Sequence, residues 1–120
     1  MLYVTVYTDS LSNLKNYRDD FFKIAVTINL SYHIQIKIDA WFNDLAPSRA
    51  LFDMVEQGKI DWSEFIISYG KEMNTSLAKS KIKWIRDFSK NNDVVLLCHE
   101  NESDPKCHRY ALKKLIEDEI

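Results

Sequence analysis

A chain of 120 residues, 46% apolar, with 16 basic and 18 acidic side chains for a net charge of −2, is long enough for one compact domain that needs neither disulfides nor metal to fold. Near-balanced charge gives no overall attraction to nucleic acid or to an anionic membrane, and no apolar run approaches the roughly 20 residues of a membrane span. The amino end lacks a basic segment leading into a signal-like apolar core, and two cysteines do not make a secreted disulfide framework, so the expectation is a cytoplasmic protein with reduced thiols.

In chain order, Leu2 to Thr8 alternates β-branched and aromatic residues as an opening strand does, and Phe22 to Ile28 supplies a second strand after the polar stretch Ser10 to Asp20. Ile34, Ile36 and Ile38 alternate with Gln35 and Lys37, which predicts a short third strand or an extended lead into the next helix. Asp39 is placed to cap a helix carrying Trp41, Phe42 and Leu45. Pro47 then restarts one that buries Leu51, Phe52 and Val55 before Gly58 ends it.

Asp61 with Glu64 three residues on forms a capping box, and Trp62, Phe65, Ile66, Tyr69 and Met73 follow at helical spacing. The three tryptophans each sit in a helical apolar pattern and are assigned to packing rather than to a stacking platform. From Ser76 to Lys90 a further helix carries Lys79, Lys83, Arg86 and Lys90 along one face, opposite Leu77, Trp84 and Phe88. That basic stripe reads either as a solvated helix face or as a phosphate-contacting surface. Lys81 falls on the apolar side, its stem packing while the ammonium reaches water. With two glycines and two prolines, the chain contains no flexible linker, repeat or glycine-rich phosphate loop, and a single domain over residues 1–120 is expected.

Chemistry concentrates in the last quarter. Val94-Val95-Leu96-Leu97 is an apolar run of β-favouring residues, a strand buried on both faces with Cys98 at its carboxyl end. After the polar loop from His99, Asp104-Pro105 announces a helix: the carboxylate accepts from free first-turn N–H groups, and proline at the first position needs no donor. Cys107, His108 and Arg109 then occupy the first turn, beside the apolar arc Ala111, Leu112, Leu115 and Ile116. Unpaired N–H groups at a helix start favour an anion, and the same field lowers the pKa of a thiol such as Cys107. A strand end facing a helix start is also where open α/β sheets place ligands. The competing reading makes Cys98 a small core residue and His108 a core histidine satisfied by a backbone carbonyl.

Cys98-x-Glu100 at the end of an apolar strand, followed by Asp104-Pro105 and Cys107-His108-Arg109, resembles the signature of the family known as domain of unknown function 488. The segments Trp41 to Ser48 and Trp62 to Tyr69 resemble that family's "LAPS" element and its tryptophan-led helix. The resemblance implies a small α/β domain whose cysteines and Cys-His-Arg turn form an active or ligand site. Two departures stand out: the loop between Cys98 and Cys107 is about one residue longer than usual, and Thr27 to Tyr32 replaces a segment that often carries arginine and proline.

The fold expected is therefore an α/β domain with a short, mostly parallel sheet of three to four strands and helices around it. The candidate catalytic residues are Cys98, Glu100, Cys107, His108 and Arg109. The first functional reading is an enzyme acting on a small anionic or nucleotide-like molecule, with Cys107 as nucleophile, His108 or Glu100 moving the proton and Cys98 shaping or resolving the site. No cofactor is indicated. Two other readings compete: a non-enzymatic module that binds a metal or another ligand through Cys98, His99, Cys107 and His108, whose spacing is not a common zinc pattern, and a nucleic-acid module using the basic stripe. A reversible Cys98–Cys107 disulfide is a further redox option.

Overall fold

The structure, a computed structural model, describes residues 6–99 and 108–118. Four parallel strands form its sheet: β1 (Tyr7–Ser10), β2 (Phe22–Ala25), β3 (Ala40–Trp41) and β4 (Val94–Cys98), in the spatial order β1-β4-β2-β3. Five α-helices are described: α1 (Tyr32–Gln35), α2 (Arg49–Glu56), α3 (Trp62–Glu72), α4 (Ser76–Ser89) and α5 (His108–Asp118). Single 3-10 segments at Leu11–Asn16 and Asn43–Leu45 complete the described elements.

β4 is central because it is the most continuously apolar strand, and every one of its residues is buried. Its pleat sends alternate side chains to opposite faces. Val94 and Leu96 join a large core with Phe65, Tyr69, Ile82, Ile85, Leu112 and Ile116 from α3, α4 and α5, whereas Val95 and Leu97 join a smaller cluster with Leu11, Leu14 and Leu30. The sheet thus carries a thick helical layer on one face and a thin layer of short elements on the other. This is the expected α/β domain with a parallel sheet.

Local signals placed the longer helices correctly. α3 begins with the Asp61–Glu64 capping box in both directions, and α2 is capped by Ser48 and closes at Gly58, whose φ of +72° suits a residue without Cβ. The intended strand at Leu2 to Thr8 lies partly outside the described residues; its described part runs on to Ser10. Phe22 to Ile28 holds a strand only as far as Ala25.

Several expectations are corrected. Ile34 to Ile38 is neither strand nor extended lead: residues 32–35 make one helical turn, and Ile36 is exposed. Asp39 caps no helix; its carboxylate accepts from the Lys23 N–H at 2.8 Å, and the next two residues pair with β2 as an edge strand. On α4 the buried face is Ala78, Ile82, Ile85 and Ser89, with Leu77 out in solvent. Trp84 and Phe88 stack at the edge of the core against Phe22, so Trp84, 44% exposed, is only partly a packing residue. Lys81 does not reach free water either: it pairs with Asp44 and lies over the Phe42 ring. No described helix is long and apolar enough to cross a membrane.

Candidate functional site

The topology creates a crevice beside β4. The chain leaves β2 toward α1 on the thin face, whereas α5, which follows β4, packs on the thick face. Neighbouring parallel strands whose connections depart to opposite faces leave a gap at their carboxyl ends, the usual ligand position in open α/β sheets. A cavity of about 240 Å3 lies there, lined by Thr27 and Asn29 after β2, Cys98 and His99 at the end of β4, and His108 on α5. Pro47, Arg49 and Phe52 close it from the start of α2.

Of the candidate catalytic residues, Cys98 and His108 share this wall, together with His99 from the metal-binding reading. Cys98 is buried, falling by strand alternation on the face of Val94 and Leu96, toward α5. His108 is buried too: its Nε2–H donates to the Val26 carbonyl at 2.6 Å, and its ring meets Tyr69 edge-on. Because a carbonyl only accepts, the proton of the neutral ring sits on Nε2 and Nδ1 is the basic nitrogen. His108 is thus buried and satisfied by a backbone carbonyl, and it also lines the cavity. Glu100 and Cys107 lie outside the described residues, as does the Asp104-Pro105 helix start, and with them the Cys98–Cys107 pairing.

Arg109 is fully buried and is not among the residues lining the cavity. Its guanidinium approaches Tyr110, donating to the hydroxyl at 3.1 Å, and its charge acts on Asp9 at the carboxyl end of β1. Burial alone pushes the Asp9 carboxyl up. Asn13 Nδ2 at 2.7 Å, the Tyr17 hydroxyl at 2.5 Å, the Ser10 N–H at 2.7 Å and the Arg109 charge outweigh it and hold the group below its ordinary value of 3.8. Ionised Asp9 therefore stabilises the fold fully above about pH 4, and that contribution is lost as pH falls through the depressed folded value. An Asp9→Asn variant should show a shallower loss of urea midpoint than the wild type as pH is lowered from about 4 to 2.5. Parallel curves would show that Asp9 does not carry the acid sensitivity.

Sequence reading missed Asp9, Thr27, Asn29 and Arg49. Asp9 had a visible signal, a carboxylate near the end of a predicted strand, as Cys98 is. Arg49 directly follows the Leu45-Ala46-Pro47-Ser48 segment. Thr27 had none, since its part is set by what surrounds it. The backbone after β2 is gripped by three ring N–H donors: His108 on Val26, Trp41 on Thr27 at 2.9 Å and His99 on Asn29 at 3.0 Å. Thr27 is 3% exposed, and its Oγ1 has no hydrogen-bond partner in this wall. A buried hydroxyl without a partner costs about 1–3 kcal/mol, so a polar group entering the cavity that reached Thr27 Oγ1 would recover that cost.

The basic stripe spends much of its charge internally. Lys83 and Lys90 both approach Asp87, and Arg86 Nε donates to the Ile116 carbonyl at 2.8 Å. Among the described residues no three His, Cys, Asp or Glu side chains gather as a metal-ligand set.

Residues 6–120 match the family model DUF488-N3a, described as the active DUF488-N3 subclade. No curated protein and no solved structure matches the chain.

Proposed function

From the premise that this chain belongs to the DUF488 family, in a subclade described as active, we propose that it is an enzyme acting on a small anionic or nucleotide-like molecule bound at the carboxyl ends of β2 and β4. The observation that supports this most directly is the unpartnered, buried Thr27 hydroxyl in a cavity wall shared with Cys98, His108 and Arg49. The positive charge at the mouth comes from Arg49 rather than from the helix end behind it. The Ser48 N–H and hydroxyl at that end both donate to the Glu72 carboxylate, at 2.7 and 2.6 Å. Arg49 is exposed, and its planar donors suit a phosphate or carboxylate.

In this reading Thr27 donates to the ligand. His108 Nδ1 takes the thiol proton, and the cysteine thiolate attacks the electrophilic centre and breaks its bond to the leaving group, which receives that proton. Water then hydrolyses the cysteine adduct to restore the thiol. The nucleophile is Cys107, the residue before His108, with Cys98 in the wall shaping or resolving the site; Glu100 is the alternative proton carrier. Arg49 rather than Arg109 holds the anion in this reading, because Arg109 is fully buried and is not among the residues lining the cavity.

Calorimetric titration with inorganic phosphate and with adenosine monophosphate tests the site. Arg49→Ala should weaken binding of whichever probe binds by about tenfold or more, equivalent to about 1.4 kcal/mol, and Thr27→Val by about three- to tenfold. Alkylation of Cys107 should titrate below an ordinary thiol and slow when ligand is present. Unchanged affinity in both variants removes the anion site, and ordinary, unprotected alkylation removes the nucleophile.

A further inference from the structure

We propose that a groove between α3, α4 and α5, which shares no lining residue with the cavity, docks an acidic amphipathic helix of a protein partner. The groove measures about 890 Å3, and Trp62, Ile66, Ile67 and Leu115 give it an apolar lining. α3 turns Phe65 and Tyr69 into the core and leaves Ile66 and Ile67 outside, 36% and 62% exposed. Contiguous apolar surface of this kind on an otherwise polar helix marks an interaction site more often than chance exposure.

Charge identifies the occupant. Lys71 of α3, Lys79 of α4 and Lys114 of α5 line the same groove and are exposed. Among the described residues no carboxylate pairs with any of the three, and none of the described lining residues is Asp or Glu. A chain with net charge −2 has therefore set uncompensated cations around an apolar opening. Each of the three helices supplies one of them, so the positive charge is distributed around the groove. A single anionic head group would be served by cations converging on one point. A helix with leucines at i, i+3, i+4 and i+7 and glutamates on its flanks matches both the apolar floor and the spread of charge.

A labelled peptide of about four turns with that pattern, followed by fluorescence anisotropy, should bind the full chain with an affinity that falls as salt rises. The triple variant K71E/K79E/K114E and, separately, Ile67→Glu should each weaken binding at least tenfold. All four positions are exposed, so the fold should be retained, which circular dichroism checks. A peptide with lysine in place of glutamate should not bind. The proposal is overturned if the triple variant binds like the wild type, or if the lysine peptide binds equally well. It is also overturned if sodium dodecanoate or a second copy of the chain, seen by sedimentation, occupies the groove while the acidic peptide does not. Failure here leaves the phosphate and adenosine monophosphate titrations untouched, because no groove residue named lines the cavity.

Discussion

Replacement of Arg109 by leucine should remove about 3–5 kcal/mol of stability, a large share of the roughly 5–15 kcal/mol typical of a domain. The side chain is fully buried near the start of α5, where its charge is one of those that lower the Asp9 carboxyl, itself only 6% exposed at the end of β1. Leucine fills part of the volume but removes the buried guanidinium's hydrogen bonds and the favourable charge it presents to Asp9. Urea denaturation at neutral pH reads the loss as a lower midpoint. The double variant D9N/R109L should recover part of it, because neutralising Asp9 removes the charge that had lost its counterpart. An R109L midpoint equivalent to less than about 1 kcal/mol of loss would mean that Tyr110 contacts and packing, not charge, justify a buried arginine.

Leu96→Ala should cost a further comparable amount, about 2–5 kcal/mol. Leu96 is fully buried at the middle of β4, opposite Thr8 of β1 and Ile24 of β2, and faces the thick layer built by three long helices. Those helices are held by contacts with one another as well as with the sheet, so they cannot collapse into the space. Leu97→Ala, equally buried but facing short elements around Leu11, Leu14 and Leu30, should fall at the lower end of the range because that layer can settle inward. Chemical denaturation of the two variants side by side checks the order, and a larger loss at Leu97 would contradict the asymmetry of the layers.

What could be read from sequence is what is decided locally. The run Val94 to Cys98 announced a strand buried on both faces, and Asp61 with Glu64 announced the start of α3, because neither depends on distant partners. The edge strand Ala40–Trp41 was hidden because two residues carry no period; it exists through the Asp39 N–H to the Lys23 carbonyl and the Phe42 N–H to the Ala25 carbonyl, both 2.9 Å. Ile36 followed the alternation and still lies in solvent, since the thin layer takes only Ile34 and Ile38 against it. At the site, Cys98 and His108 were legible as reactive types at a strand end and a helix start. Arg109 was legible as a charged residue there, but not its burial, which is set by tertiary neighbours such as Asp9, a hundred residues earlier in the chain. Thr27 and Arg49 come to the cavity only because β2 and β4 become neighbours and α2 folds over their ends.

The grip of the histidines on the segment after β2 bears on the proton transfer proposed for His108. His108 and His99 hold the Val26 and Asn29 carbonyls through Nε2–H, and an imidazole that takes up a second proton on Nδ1 keeps that N–H. A proton taken up on Nδ1 in the proposed reaction would therefore leave the latch on Val26 fastened, and the wall of the cavity in place.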